Sequence, residues 1–318
     1  MSDFRSDTRQ ATRAAYGETL VELVQAGYDV VAVDADLSGS TTTKKLGDAY
    51  PERLFNVGIA EQNMIGVAAG LALAGKTAFT GSFAIFATGR AYDQIRNTVC
   101  YAKLNVVVAP THAGISVGAD GGSHQMVEDL ALMSVLPNMR VLVPADYHAA
   151  KAALKLAATS GGPFYVRLGR APLAQIYTED NELAVGKATV VRSGEDVSIL
   201  ACGAETEQAL LASELLSQKG ISAEVIDVFS LKPLDTATLT ASIAKTGLVV
   251  SCEEHSVIGG LGAAVAALIA KNPTLLKKPL QMVGVQDSFG MSGEIDELFA
   301  RYQLDANHIT DVVLELVS

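Results

Sequence analysis

Tryptophan is absent, aromatic residues make up only 6% of the chain, and just three cysteines are spread over 318 residues. Cys100, Cys202 and Cys252 stand too far apart for the C-x-x-C pair of a zinc or redox site, and they outline no disulfide framework. A reducing cytoplasm is the expected setting. Long apolar runs are missing too: no segment approaches the ~18 uninterrupted apolar residues of a membrane helix, and the first twenty residues lack the apolar stretch of a secretory signal. Neither a membrane partner nor processing is expected. Basic runs are also lacking, and the net charge is −11, so the chain has no field that would attract nucleic acid. Any anion site has to be local. Low-complexity segments and short repeats do not occur, which argues against disorder and against a solenoid.

What is present is a hydrophobic content of 49%, 28 glycines and many Ala, Val and Leu, a composition suited to buried sheets packed through small residues. The length suits two domains of roughly 100–200 residues. Helical and strand patterns alternate. "TRAAYGETLVELVQAG" has helical spacing and stops at Gly27, "YDVVAVDADL" reads as a buried strand, and "FNVGI" is a strand that gives way to an apolar helix. "RAYDQIRNTVCYAK" reads as a helix, "LNVVVAP" as a strand, and "THAGISVGADGGSHQ" as a Gly-rich loop. After the polar segment at residues 174–194, which reads as a linker, a second cycle begins with "DVSILAC" and runs through "LVVSCEEH". The expected fold is α/β: two consecutive three-layer α/β/α domains with mainly parallel sheets, over residues 1–185 and 186–318.

In such sheets ligands gather at the carboxyl ends of the strands, so the loops there are where chemistry is expected. Three motifs are set aside first. "GISVG" at residues 114–118 matches a nucleophile elbow, but Ser116 has no strand directly before it and no helix directly after it. "GGLGAA" at residues 259–264 partly matches a dinucleotide loop, and close helix packing explains it better. Asp120 and His124 have no third ligand at metal-binding spacing.

Glu61 is harder to dismiss. It stands where a strand passes into an apolar helix, in "FNVGIAEQNMIGVAAG". Attraction to the positive helix end explains a first-turn Glu in ordinary cases. Its apolar flanks complicate that explanation, because burying an ionised carboxylate is costly unless it is paired. Such a group is poised to share a proton.

Taken in order, "FNVGIAEQNMIGVAAGLALAG", "GSFAIFATGRAYDQIR", "PTHAGISVGADGGSHQMVEDLALM" and "NMRVLVPAD" resemble the pyrimidine-binding domain of transketolase and of its relative deoxyxylulose-phosphate synthase, both thiamin diphosphate enzymes. "SCEEHSVIGGLGAAVAAL" and its surroundings resemble their C-terminal domain. The family holds the cofactor's diphosphate through Mg²⁺ on a G-D-G…N motif of an N-terminal domain, and no GDG occurs in this sequence. The resemblance therefore implies the C-terminal subunit of a split transketolase. Its implied partner is a separate N-terminal subunit, with two copies of each chain in a heterotetramer.

The resemblance also implies roles for matched residues. Glu61 matches the glutamate that hydrogen-bonds the aminopyrimidine, a task suited to a shielded carboxyl. Phe86 matches the ring that stacks on it, with Phe83 beside it; in many transketolases a further aromatic stands where this chain has Gly89. Asp36 and Leu37 match a segment near the thiazolium. His112, Asp120 and His124 match polar residues around the donor sugar's hydroxyls and carbonyl, where imidazoles can exchange protons. Arg13, Ser40 and Arg170, with His112, match positions that bind the phosphate end of the sugar, and Arg suits a forked contact to phosphate.

The implied reaction is transfer of a two-carbon ketol unit from a ketose phosphate to an aldose, with pentose-phosphate metabolism as the default setting. "RAYDQI" also resembles deoxyxylulose-phosphate synthase and the β subunit of 2-oxo-acid dehydrogenases, whereas the paired His112 and His124 favour transketolase. A partner-binding module that has lost its chemistry is the alternative outside the enzymes.

Overall fold

The computed structural model describes residues 8–318, so the first seven residues of the expected first domain lie outside it. In chain order the strands are β1 (Arg9–Ala11), β2 (Val30–Asp34), β3 (Leu54–Asn56), β4 (Thr77–Gly81), β5 (Val106–Val108), β6 (Arg140–Leu142) and β7 (Phe164–Val166). They continue with β8 (Pro172–Ala174), β9 (Thr189–Arg192), β10 (Val197–Ala201), β11 (Ala223–Asp227), β12 (Ser230–Lys232), β13 (Val249–Ser256) and β14 (Gln281–Val285).

β2, "VVAVD", is shielded along all five residues, as a strand covered on both faces must be. It lies inside a seven-stranded sheet of order β12-β6-β7-β5-β4-β2-β3, in which every neighbouring pair is parallel except antiparallel β12 and β6. The chain runs from β2 outward to β3, then returns to the other side of β2 for β4. That reversal opens a crevice at the carboxyl ends of β2 and β4, where open α/β sheets bind ligands. The second sheet has the order β14-β13-β10-β11-β9, parallel except for β9 against β11. Both sheets are mainly parallel and sit in α/β domains, as expected.

The linker reading of residues 174–194 needs correction. β9 lies inside that segment and pairs with β11, and the Tyr177 hydroxyl donates to the buried Asp227 Oδ2 at 2.7 Å. β9 is a half-exposed edge strand, so its hydrophobic signal is weak. The helix read in "RAYDQIRNTVCYAK" is also interrupted. π-helical turns span Ile85–Arg90 and Ile95–Cys100 on either side of the short α-helix Tyr92–Gln94, and one extra residue per turn leaves no compositional trace.

The two units are stitched together at several points. β12 comes from the second half of the chain yet forms the edge of the first sheet. Deeper in the seam, the buried Arg167 donates to both oxygens of the buried Asp129, through Nε to Oδ2 at 2.7 Å and through Nη2 to Oδ1 at 3.0 Å. The same Nη2 reaches the carbonyls of Met126, at 3.3 Å, and of Glu254, at 2.9 Å. Tyr165 adds a hydroxyl bond to Asp129 at 2.6 Å. Burial pushes the Asp129 carboxyl upward, but the Arg167 charge and hydrogen bonds outweigh that and hold it below the usual range.

Removing one member of a buried pair strands the other charge, at a cost of about 3–5 kcal/mol. Arg167→Met should accordingly lower the free energy of unfolding by that order and bring the denaturation midpoint down with it, and Arg167→Met combined with Asp129→Leu should recover a large part of the loss. Equal midpoints for wild type and Arg167→Met in guanidinium titrations would contradict this account of the seam.

Candidate functional site

The loops at the carboxyl edge of the first sheet carry the expected residues. Asp36, Leu37 and Ser40 follow β2, Glu61 follows β3, and Phe83 and Phe86 follow β4. His112, Asp120 and His124 follow β5, and Arg170 follows β7. Arg13 precedes the helix Ala14–Gln25 and is held to this edge by its amide, which donates to the Gly169 carbonyl at 3.3 Å.

Glu61 opens the helix Glu61–Leu73 and is 2% exposed. Its Oε2 accepts from Arg90 Nη1 at 2.8 Å, and the Arg90 side chain is itself 49% exposed. The Arg90 guanidinium lies 4.7 Å from the centre of the Phe86 ring, a cation–π contact. Phe86 stacks against Phe83 with centroids 6.1 Å apart, and Phe83 stacks on the His112 imidazole at 3.7 Å. His124 meets Phe86 edge-on at 5.5 Å and Phe83 at 6.3 Å. One continuous set of contacts thus joins Glu61 to His112 through a cation and two aromatic rings.

His112 occupies the left-handed region at φ 61° and shares a 2.7 Å hydrogen bond with the Thr111 hydroxyl through Nδ1. Burial drives its pKa down to about 3, and Arg13, Arg170 and His124 add to that fall. It is therefore neutral at physiological pH and able to donate or accept a hydrogen bond without carrying charge. Arg13 donates to the Ser40 carbonyl at 2.9 Å, and Arg170 approaches Asp120 Oδ2 at 3.5 Å. The Arg13 pKa is lowered by burial and by repulsion from Arg170, the mark of two cations turned toward one small region. Ser40 contributes its carbonyl to this group.

Asp36 and Leu37 have different partners. Asp36, at φ 65°, accepts from Asn56 Nδ2 at 3.1 Å, and the Leu37 amide donates to the buried Asp34 at 2.6 Å. Asp34 also takes the hydroxyls of Thr41, at 3.1 Å, and Thr43, at 2.8 Å, and so fixes the turn beyond β2. A side chain at Gly81 would collide with Asp34 Oδ2, only 2.4 Å from its Cβ position, so the crevice between β2 and β4 requires glycine there.

Arg90 was not among the expected site residues. It is 29 positions from Glu61 in the chain, and no local pattern links the two. The spacing of Arg90 four residues after Phe86 in a helical stretch was the one available signal.

The motifs set aside have ordinary structural uses. Ser116 is buried in a 3-10 turn over Ile115–Asp120, and its amide donates to Glu254 Oε1 at 2.5 Å. At "GGLGAA" the helix end is filled by Glu253, which accepts from Leu261 at 2.6 Å and Gly262 at 2.8 Å. A Cβ at Gly260 would lie 1.8 Å from that carboxylate. Asp120 faces Arg170 and His124 faces the Phe rings, and among the described residues no group of three His, Cys, Asp or Glu could hold a metal ion. Among the described residues, too, no helix is long and apolar enough to cross a membrane.

A tandem pair of α/β domains, with a shielded carboxylate and aromatic wall at one end of the first sheet's crevice and two arginines at the other, defines a class of ligand-binding enzyme fold. Comparison with known proteins gives the family. Residues 8–175 match the transketolase pyrimidine-binding domain, and residues 186–309 match the transketolase C-terminal domain. A putative transketolase C-terminal section from Methanocaldococcus jannaschii is 47% identical, with 98% of this chain and 97% of that one aligned. A 6-deoxy-6-sulfo-D-fructose transketolase subunit from a Clostridium species is 42% identical over 96% of this chain and 94% of its own. A split-gene transketolase structure described as an inactive β4 tetramer superimposes with a TM-score of 0.87 at 48% identity, covering 96% of this chain and 98% of that one. The chain belongs to the transketolase family, among the C-terminal subunits of split transketolases. The family depends on thiamin diphosphate.

The residues present fit the aminopyrimidine end of that cofactor. The Glu61 carboxylate is shielded yet capped by a half-exposed side chain, Phe86 is partly open, and nothing lies within 4 Å of where a Gly89 Cβ would be, which leaves room beside the ring.

A lowered histidine pKa has a defined sign. The unfolded chain takes up a proton on His112 near pH 6.5 that the folded state refuses until about pH 3, so this residue costs stability as the pH falls through that interval. In NMR titrations His112 should remain neutral down to at least pH 5. An imidazole midpoint near 6.5 would show that burial and the neighbouring cations do not hold it neutral.

Proposed function

We propose that this chain is the C-terminal subunit of a two-chain, thiamin diphosphate-dependent transketolase that moves a two-carbon ketol unit from an anionic ketose to an aldose acceptor. The observation that carries the reading is the contact series from buried Glu61 through Arg90, Phe86 and Phe83 to a neutral His112 beside Arg13 and Arg170. When bound, the cofactor supplies the nucleophilic centre for the reaction. Glu61 would hold a proton at its carboxyl oxygen against the aminopyrimidine, with Phe86 and Phe83 as the stacking wall. His112 and His124 would hydrogen-bond the sugar's oxygens and exchange protons with them, and Asp120 would orient a hydroxyl. Asp36 and Leu37 line the crevice after β2, on the side assigned to the thiazolium. The N-terminal subunit would bring the diphosphate and Mg²⁺ site, and pairs of both chains would assemble as a heterotetramer.

Arg13 and Arg170 would receive the anionic end of the sugar in forked hydrogen bonds. Two similar proteins fit that assignment: one is named for 6-deoxy-6-sulfo-D-fructose and another, 35% identical from Phocaeicola vulgatus, for apulose-4-phosphate. Sulfonate and phosphate share the charge and the oxygen acceptors that two arginines recognise. A pentose-phosphate sugar is one candidate in this class.

The direct test combines the chain with the N-terminal subunit, thiamin diphosphate and Mg²⁺, and follows ketol transfer from a panel of ketose phosphates and sulfonates. Transfer should require both chains, and failure with every donor would overturn the reading. Glu61→Ala should lower kcat by about a hundredfold or more while leaving the fold intact. Arg170→Ala should instead raise KM for anionic donors about tenfold with little change in kcat. Loss of kcat without a change in KM would remove Arg170 from the anion site.

A further inference from the structure

Arg90 occupies two features that the proposed function assigns to the aminopyrimidine. Its Nη1 lies 2.8 Å from Glu61 Oε2, and its Cζ lies over the Phe86 ring, 4.7 Å from the centre. A flat, hydrogen-bonding group over Phe86 and bonded to Glu61 is also the description of a bound aminopyrimidine, so the side chain mimics the ring chemically. We propose that Arg90 is a resident stand-in for the cofactor's aminopyrimidine, which keeps the seat closed in the ligand-free chain and swings off Phe86 when the ring enters. This inference rests on the assignment of Glu61 and Phe86 under the proposed function.

Three observations support displacement over a permanent role beside the ring. The Arg90 side chain is 49% exposed, so water can take over its hydrogen bonds when it leaves, whereas Glu61 at 2% exposure has no such recourse. Gly89 beside it is exposed with no atom within 4 Å of a Cβ position, so there is space for the side chain to move into. Its backbone is anchored independently, because the Arg90 carbonyl accepts from Gln62 Nε2 at 3.2 Å at the end of a π-helical turn. The side chain can move without the chain moving.

The latch also answers a physical need. An ionised Glu61 left unpaired in a nearly dry position would be costly, and Arg90 supplies the countercharge until a ligand does. The stabilisation is lost on ligand entry, so the latch weakens cofactor binding by the strength of the ion pair and the cation–π contact together.

The test measures affinity and stability as well as turnover. In calorimetric titrations of the two-chain complex with thiamin diphosphate and Mg²⁺, Arg90→Ala and Arg90→Gln should bind about tenfold more tightly than wild type. Equal or weaker binding by both variants would overturn the proposal and make Arg90 a residue that helps hold the ring. A second measurement uses thermal unfolding of wild type, Arg90→Ala, Glu61→Gln and the double variant in the same complex. Coupling between the two positions should be present without thiamin diphosphate and vanish at saturating concentration, and coupling that persists with ligand would also overturn the latch. No binding by the wild-type complex would instead defeat the assigned function, a result distinct from either of these.

Discussion

The buried guanidinium of Arg167 is the constraint around which the active edge of this protein is arranged. A charge out of reach of water has to be matched within hydrogen-bond distance, and three groups from two domains converge on it: the Asp129 carboxylate and the carbonyls of Met126 and Glu254, while Tyr165 completes Asp129. Each also fixes something else. The Met126 carbonyl accepts from Gly114 at 2.8 Å, which closes the Gly-rich loop on itself. The strand that brings the Glu254 carbonyl also brings its carboxylate to the Ser116 amide. Gly114 lies at φ 80°, and a Cβ there would stand 2.2 Å from the Glu254 carboxyl carbon, so the loop can approach this closely only with glycine. Asp120 and His124 ride on a loop pinned to the second domain, and that pinning gives the site a fixed wall.

The same contacts explain why the two domains differ in use. Both sheets reverse strand order in the middle and so possess a crevice at the strand ends. In the second sheet the crevice is occupied by the protein itself: Glu253 caps the helix Leu261–Ile269, Glu254 receives Ser116, and Glu205 is buried beside them. Burial raises the Glu253 pKa to about 7 against the pull of its two amide donors, and it raises those of Glu205 and Glu254 as well. Glu253 and Glu254 serve there as hydrogen-bonded packing, taking the amides of Leu261, Gly262 and Ser116.

Much of this was legible in the sequence because it was written locally. A run such as "VVAVD" is a buried strand in any context, and the ordered motifs named the family and with it most of the residues at the edge of the first sheet. What escaped was set by distance or by irregular geometry. The Glu61–Arg90 pair spans 29 positions, and Arg167 meets Glu254 across 87. β9 was taken for linker because an edge strand with one wet face alternates too weakly to stand out. The π-helical turns were read as ordinary helix because an added residue changes where side chains point without changing which residues are present.

The electrostatic layout of the edge follows from setting a buried carboxylate and a buried imidazole among half-exposed cations. Burial keeps His112 neutral, and the nearby Arg13 and Arg170 act in the same direction. A third cation there would add repulsion without adding a hydrogen bond that a neutral imidazole lacks. At the far end of the aromatic wall the sign reverses, with a carboxylate placed at the positive end of a helix and matched by the half-exposed Arg90. Two phenyl rings, Phe83 and Phe86, stand between the group of Arg13, Arg170 and His112 and the Glu61–Arg90 pair, the two ends that the proposed function assigns to the sugar's anion and to the cofactor. Among the described residues Glu61 has its cation from Arg90 alone, and the Phe83–Phe86 pair intervenes between that ion pair and His112, so the two charged ends of the edge are satisfied separately.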